Sequence, residues 1–165
     1  MATANQVRYQ LWTSPSGGTY RVSSGGHLSR EIRPGIWRET GGAINGSGYK
    51  NFGGVRAGKR WMKYVHRLVA ELFVPNPNNL KQVDHRDRNR LNNAAANLRW
   101  ATAQQNAENK VGRGCQQKNG RWVASIRVRG CKKHLGTFAT EAEAHECYLR
   151  AKRQYHDFFP DKNSG

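Results

Sequence analysis

Residues 80–110, LKQVDHRDRNRLNNAAANLRWATAQQNAENK, decide the fold of the middle of this chain. Their pattern predicts a short strand over 80–85, a polar and Asn-rich loop over 86–97, and a second short strand over 98–101. A helix over 103–110 is expected to follow. Two short strands joined by a long polar loop and followed by a helix form one small supersecondary unit.

Two further signals fix the ends of helices around this stretch. Thr102 followed by Gln105 is a capping-box pattern, which predicts that a helix begins at Ala103. Upstream, residues 66–73 place apolar side chains on one helical face, and Pro75 ends that helix. The middle of the chain is therefore predicted to run helix, strand, loop, strand, helix.

Three residues in this unit can carry chemistry. Asp84 and His85 end the first strand, and Asn106 lies in the second helix. A hairpin packed on a helix brings the strand end near that helix, so Asp84 and Asn106 can offer two hard oxygens to one divalent cation, Mg²⁺ or Mn²⁺. His85 points to the other side of the strand, where a neutral imidazole can take a proton from water. The ordinary alternative is a hydrogen-bonded Asp–His pair at the surface.

The composition restricts the class of protein and the kind of partner. The 165 residues include 28 Lys and Arg against 11 Asp and Glu, a formal net charge of +17, which favours a polyanion as partner. No stretch approaches the roughly 20 apolar residues of a membrane helix, and the polar start MATANQVRYQ lacks the core of a signal peptide. Three scattered cysteines without a Cys-x-x-Cys pair argue against a disulfide framework or a structural zinc site. We expect a cytoplasmic protein, in a bacterial host if it is phage-encoded.

The middle of the chain resembles a known enzyme family. Residues 64–110 contain VHRLVA, VDH, LNN, NLRWAT and QNAEN, in that order. This set resembles the HNH endonuclease family in the form found in phage homing endonucleases. The resemblance implies a ββα-metal fold and a metal-dependent DNA endonuclease that uses Mg²⁺ or Mn²⁺.

The resemblance also implies roles for single residues. It makes His85 the general base and Asp84 and Asn106 the metal ligands. It makes Asn97 the residue that pins the loop and helps to orient His85. Asn109 is an alternative to Asn106, although its offset fits the family less well.

Other matching positions are expected to be structural or accessory. Asn92 and Asn93 are expected to brace the Asn-rich loop, and His66 is expected to pack. Residues 9–60 are similar, less specifically, to the small modules attached to such nucleases, through the stretch 20–29, YRVSSGGHLS. This similarity implies an accessory region that contacts DNA.

The end of the chain carries a second set of motifs. Asn119-Gly120 predicts a hairpin turn within three short strands over 115–138, the third of them from His134 to Phe138. Thr140 with Glu143 is a capping-box pattern, which predicts a helix over 141–156. The stretches KNGRWVA, IRV, HLGTF and EAEA, within 111–160, resemble the APETALA2/ethylene-response-factor type of DNA-binding domain. That resemblance implies a three-stranded sheet in the major groove, backed by one helix.

Basic residues in this segment are the expected DNA contacts. Segment 111–138 holds seven basic residues and no acidic residue. By the period of two, Arg127 and Arg129 are expected to share one strand face, where arginines can read guanine edges. Trp122 is either a groove contact or a core anchor. The expected DNA-binding residues are Arg113, Lys118, Arg121, Trp122, Arg127, Arg129, Lys132 and Lys133.

These observations give an α+β protein, with a ββα-metal nuclease core followed by a three-stranded antiparallel sheet backed by one helix. The expected organisation is an accessory β-rich module over 1–60, the nuclease core over 61–111, the DNA-binding domain over 112–160 and a flexible tail over 161–165. The expected function is nicking of double-stranded DNA by a monomer. The alternatives are a non-catalytic, sequence-specific DNA-binding regulator on a degenerate nuclease fold, or an RNA-binding or RNA-processing protein.

Overall fold

The computed structural model describes residues 6–156 and 158–159. The chain divides into two compact units between Ala101 and Thr102. Both mix strands with helices, which agrees with the predicted mixture of α and β structure. The predicted functional boundaries at 60/61 and 111/112 stay predictions, and the predicted tail over 161–165 lies outside the described residues.

The first unit opens with two antiparallel sheets. The first sheet has the strand order β1-β2-β3-β4 and the second has the order β5-β6-β7. An aromatic cluster of Trp12, Tyr20, Phe52 and Trp61, with ring centroids 5.1 to 6.0 Å apart, packs residues of both sheets together. The strands are β1 Tyr9–Thr13, β2 Thr19–Ser23, β3 Leu28–Arg33, β4 Ile36–Glu39, β5 Ala43–Ile44, β6 Lys50–Arg56 and β7 Lys59–Tyr64.

A helix and a hairpin complete the first unit. Helix α1 (Val65–Phe73) buries Leu68 and Val69, as the apolar spacing predicts. Strands β8 (Gln82–His85) and β9 (Leu98–Ala101) pair antiparallel. The loop between them ends in a single 3₁₀ turn over Ala95–Asn97. The predicted helix, strand, loop and strand are therefore all present, because each is encoded by local spacing and turn residues.

The second unit contains α2 (Ala103–Asn109), a three-stranded sheet and α3 (Glu141–Tyr155). Both helices begin with the predicted capping boxes, at Thr102 and Thr140. The sheet order is β10-β11-β12, and α3 packs on one face, where its Ala144 shares a core cluster with Ala124 of β11. The strands are β10 Cys115–Lys118, β11 Arg121–Val128 and β12 Cys131–Phe138.

One expectation about this sheet is wrong. Arg129 does not continue β11 and therefore does not share a strand face with Arg127, because β11 ends at Val128. Val128 pairs directly with Cys131, so Arg129 and Gly130 form a two-residue turn in which both residues have positive φ, 49° and 83°. The third strand consequently begins at Cys131, three residues before the predicted start at His134.

The longest helix in the described part of the chain has 15 residues. No helix in the described ranges has both the length and the hydrophobicity needed to span a membrane.

Candidate active site

Asp84 and His85 form the end of β8, and both are 5% exposed. Their cross-strand partners on β9 are Arg99 and Leu98, respectively. Because adjacent residues of a strand point to opposite faces, the carboxylate and the imidazole leave the hairpin on different sides. Two adjacent, buried and ionisable side chains are unusual for a hairpin end.

The Asp84 carboxylate is held by a buried ion pair. Arg99 Nε donates to Asp84 Oδ2 at 2.8 Å, and the two side chains are 9% and 6% exposed. The register of the hairpin places the two residues directly opposite one another. Arg99 was not among the predicted site residues. The signal that could have identified it is the pairing register, which counts 15 residues from Asp84 to Arg99 around the loop.

The His85 ring is oriented by Asn93. The Asn93 amide donates from Nδ2 to the carbonyl of Leu91, at 3.3 Å, so Asn93 Oδ1 faces the ring. His85 Nε2 lies 3.2 Å from this oxygen and acts as the donor. In this tautomer the lone pair belongs to Nδ1. Asn93 was predicted only to brace the loop, and its contact with His85 is a finding of the structure.

Aromatic rings surround the two histidines. The His85 ring centroid lies 5.2 Å from that of His66 and 6.0 Å from that of Tyr49. The His66 ring also contacts Tyr49 at 5.0 Å and Tyr64 at 5.4 Å. His66 therefore packs, as predicted, but it packs against the proposed general base.

This environment keeps both imidazoles neutral at pH 7. Burial is the largest influence on His85 and lowers its pKa below 6.5, while its hydrogen bond to Asn93 and the charges of Asp87 and Asp84 act in the opposite direction. Burial, followed by the neighbouring His85, lowers the pKa of His66 to about 4. A neutral imidazole is the form that can accept a proton.

Asn97 ties the two ends of the loop together. Its Nδ2 donates to Asp87 Oδ1 at 2.9 Å and to the carbonyl of Asn92 at 2.8 Å, while its Oδ1 accepts from the Asp87 amide at 3.1 Å. Its own carbonyl accepts from the Arg86 amide at 2.8 Å, directly after His85. Asn92 braces the same loop by donating to Asp87 Oδ2 at 2.7 Å. These contacts are those expected of a residue that pins the loop.

The Asp87 carboxylate is the acceptor that organises this loop. Burial has the largest single influence and would raise its pKa, but the hydrogen bonds from Asn92, Asn89 and Asn97 together lower it. Asp87 is therefore ionised at neutral pH, so the loop is closed by charge-assisted hydrogen bonds. Asp87 was not among the predicted site residues.

The second predicted metal ligand, Asn106, lies in α2 and therefore in the second unit. Its meeting with Asp84 stays a prediction, as does the packing of α2 on the hairpin. Within the described ranges, no three His, Cys, Asp or Glu side chains converge on a common point. The set of one carboxylate and one amide oxygen, without a thiolate, fits a hard cation such as Mg²⁺ or Mn²⁺.

Comparison with known proteins identifies the segment that carries this site. Residues 63–108 match the model of the HNH endonuclease family. The candidate site therefore lies within a segment that is similar to HNH endonucleases. The match contains Asp84, His85, Asn97 and Asn106, together with Asn93 and Arg99.

Relatives extend the similarity beyond residues 63–108. The DNA endonuclease I-HmuI of Bacillus phage SP01 is 36% identical over 106 residues, which cover 64% of this chain and 53% of that protein. An uncharacterized HNH endonuclease of Acanthamoeba polyphaga mimivirus is 42% identical over 53 residues, 32% of this chain and 16% of that protein. The chain thus spans about half the length of the phage relative.

A solved structure of the HNH homing endonuclease I-HmuI, whose subject is DNA binding and cleavage, has a similar fold. It aligns with a TM-score of 0.50 and 26% sequence identity, over 90% of this chain and 94% of that chain. The mixed α/β architecture described above is therefore similar to that of this solved homing endonuclease.

The second unit presents a basic sheet face. Arg121 and Arg127 lie on the face of β11 opposite Ala124 and Ile126, which are buried under α3. Cross-strand pairing adds Lys118 opposite Arg121 and Lys132 opposite Arg127. We call these four exposed residues, Lys118, Arg121, Arg127 and Lys132, the open basic face.

Three of the four remaining predicted DNA contacts are engaged within the second unit. Arg113 Nε donates to Glu141 Oε1 at 2.7 Å, and its guanidinium lies 5.2 Å from the ring centroid of Trp122. Trp122 packs against the cluster under α3, which favours its interpretation as a core anchor. Lys133 Nζ donates to the Tyr155 hydroxyl at 2.7 Å. Arg129 lies in the β11–β12 turn, and its DNA contact stays a prediction.

Proposed function

We propose that this chain is a metal-dependent DNA endonuclease of the homing-endonuclease type, which hydrolyses phosphodiester bonds in duplex DNA one strand at a time. The observation that carries the proposal is the end of β8. There a carboxylate and a neutral imidazole are adjacent, buried and aimed to opposite sides, within a segment that matches the HNH endonuclease family.

His85 is the proposed general base. Its Nε2 is used as a donor to Asn93, so Nδ1 is the nitrogen that can receive a proton from an attacking water. Burial favours the neutral form, and the hydrogen bond to Asn93 limits rotation of the ring. A base that is already neutral and oriented needs no reorganisation before the proton is transferred.

Asp84 and Asn106 are the proposed ligands of the divalent metal. A bound Mg²⁺ or Mn²⁺ would neutralise charge on the scissile phosphate and stabilise the leaving oxygen. The ion pair with Arg99 fixes the plane of the Asp84 carboxylate from within the hairpin. Asn97 holds the loop that leaves His85, so the backbone on both sides of the pair is constrained.

DNA binding is proposed to come largely from the second unit. The open basic face places four cations on one side of a three-stranded sheet, and none of the facing cross-strand partners of Arg121 and Arg127 is acidic. A face of this kind binds phosphates through counterion release and can offer arginines to guanine edges. The resemblance of residues 112–160 to the APETALA2/ethylene-response-factor type agrees with this role.

One catalytic Asp–His pair in a chain accounts for cleavage of one strand in one encounter. A monomer is therefore expected to nick its target, and a double-strand break would require a second chain or a second binding event. This distinction gives the test a specific product, the open circle of a plasmid.

The test uses the intact chain and a library of supercoiled plasmids that carry genomic fragments. Mg²⁺ or Mn²⁺ should convert a subset of plasmids to open circles, and a chelator should prevent it. Sequencing of the nicked ends then identifies the site, and a duplex with that site serves for kinetics. The His85→Ala variant should bind this duplex normally but lose cleavage. Binding without any metal-dependent nick would refute the nuclease and favour the non-catalytic regulator, while preferential binding of structured RNA would favour the RNA alternative.

A further inference from the structure

The amide of Asn93 is a buried polar group in contact with the proposed base. Asn93 is 4% exposed, and its Oδ1 accepts from His85 Nε2 at 3.2 Å. Its Nδ2 donates to the Leu91 carbonyl, so turning the amide nitrogen towards the His85 ring would break that hydrogen bond. The position of Asn93 therefore bears on both the tautomer and the orientation of His85.

The backbone around Asn93 is held by a turn from the first sheet, far away in sequence. The turn between β2 and β3 places the carbonyl of Ser24 2.8 Å from the amide of Ala95, which donates to it. Gly26 lies against the same segment, because a Cβ at Gly26 would stand 2.7 Å from the Asn93 carbonyl carbon and 2.8 Å from its oxygen. Only a residue without a side chain permits this approach.

The turn is well fixed. Ser23 is 1% exposed, its amide donates to the His27 carbonyl at 2.9 Å, and its Oγ accepts from the His27 amide at 3.0 Å. Gly26 has a φ of +88°, in the left-handed region that favours glycine. The hydrogen bonds between Ser23 and His27 hold the turn, and Gly26 contacts the backbone at Asn93, so the turn supports the β8–β9 loop rigidly.

We propose that Asn93 is a positioning residue for His85, and that the β2–β3 turn sets the position of Asn93 through Ser24 and Gly26. The proposal rests on the proposed function, since it assigns the orientation of the base. It gives the first sheet a catalytic purpose besides the accessory DNA contact expected of residues 1–60.

A purely structural role for Asn93 predicts a different pattern of effects. If Asn93 only braced the loop, its loss would lower stability and affect DNA binding and turnover together. If it orients the base, its loss acts on the chemical step alone, because His85 would keep its place in the hairpin but sample other ring orientations and the other tautomer. A misplacement of about 1 Å at a catalytic group costs about 100-fold in rate.

The first experiment examines the side chain. Asn93→Leu keeps the volume but removes the acceptor, and kcat on the mapped duplex should fall about 10- to 100-fold while the Kd for DNA changes by less than about 2-fold. Asn93→Asp keeps an acceptor oxygen at the same position and should restore most of kcat. Equal losses of kcat and DNA affinity in Asn93→Leu, or no rescue by Asn93→Asp, would overturn the proposal.

The second experiment examines the turn, with a matched control. Gly26→Ala should lower kcat because the added carbon displaces Asn93. Gly35→Ala imposes the same kind of backbone strain, at a φ of +76°, but a Cβ at Gly35 meets no atom within 4 Å. Gly35→Ala should therefore cleave like the wild type, and equal kcat for the two variants would refute the role of the turn.

A third readout does not depend on activity. Long-range ¹H–¹⁵N correlation spectra of the wild-type chain at neutral pH should show His85 as the Nε2–H tautomer, and the Nδ1–H form should grow in Asn93→Leu. A wild-type His85 in the Nδ1–H form would overturn the inference even if the enzyme cleaves DNA. A correct tautomer in a chain that shows no metal-dependent nicking would instead refute the proposed function alone.

Discussion

Replacing Arg99 by Leu should lower the free energy of unfolding of the first unit. The decrease should be larger than a loss of apolar contacts at position 99 can explain. The change removes the guanidinium that donates to Asp84 at 2.8 Å, where both side chains are less than one-tenth exposed. With the two charge centres about 4 Å apart and an effective dielectric constant of about 20, their attraction is about 4 kcal/mol. Measured losses for breaking one partner of a buried pair are about 3–5 kcal/mol, which agrees with this value.

Urea unfolding measures this loss directly. Four of the five tryptophans, Trp12, Trp37, Trp61 and Trp100, belong to the first unit, so their fluorescence reports its unfolding. The expected free energy of unfolding is about 3–5 kcal/mol lower in Arg99→Leu than in the wild type. The double change Asp84→Leu with Arg99→Leu should recover most of it, because no buried charge then remains in that pair.

An exposed ion pair of the same unit provides the control. Lys63 Nζ contacts Glu71 at 2.6 Å, but these side chains are 28% and 38% exposed. Lys63→Met should cost no more than about 1 kcal/mol, because solvent screens that pair. The proposed role of the buried ion pair in stabilising the hairpin is refuted by either of two results. The first is a decrease in unfolding free energy in Arg99→Leu as small as that in Lys63→Met, and the second is a double variant no more stable than Arg99→Leu.

Three other predictions concern separate parts of the chain. His66 has a pKa of about 4 in the folded chain and about 6.5 in the unfolded chain, so the unfolded chain binds a proton that the folded chain does not, and the free energy of unfolding falls as the pH drops from 6.5 towards 4. His66→Phe should flatten that part of the curve of unfolding free energy against pH, and an unchanged slope would show that another group causes the pH dependence. Gly114→Ala should unfold the second unit, because a Cβ at this position would overlap the ring of Tyr148 and φ is +67°. Circular dichroism measures the loss of structure. Arg127→Gln should weaken DNA binding by about 1–3 kcal/mol, whereas Lys133→Gln, which loses a contact to Tyr155, should change the measured affinity much less.

Local patterns explain most of what the sequence predicts correctly. The capping boxes at Thr102 and Thr140 and the turn at Asn119-Gly120 each depend on residues within four positions of one another. Arg129 is the exception among the strands, since the period of two gives no reason to end β11 at Val128. Cross-strand pairing ends it there, because Val128 pairs with Cys131 and leaves Arg129 and Gly130 as a two-residue turn, in which Arg129 adopts a positive φ that is uncommon for this residue type.

The missed site residues depend on contacts between distant parts of the chain. Arg99 is opposite Asp84 only once the hairpin register is known, and the loop length alone does not define that register. Asn93 was seen as one of several asparagines in a loop, and nothing in its spacing distinguishes it from Asn92. What distinguishes it is the β2–β3 turn, which fixes the backbone at Asn93 from more than 60 residues away.

The energetic character of the hairpin bears on the choice between a nuclease and a regulator on a degenerate fold. Asp84 and Arg99 form a buried ion pair, and such pairs are often no more stable than well-packed apolar residues of similar volume. His66 Nδ1 is buried without a hydrogen-bond partner among the described residues, which also opposes stability. A hairpin and helix that served only to support DNA binding would gain stability by exchanging these groups for apolar ones. Their presence together, beside a buried imidazole in contact with Asn93, favours the proposed chemical step at His85 over a purely supporting role.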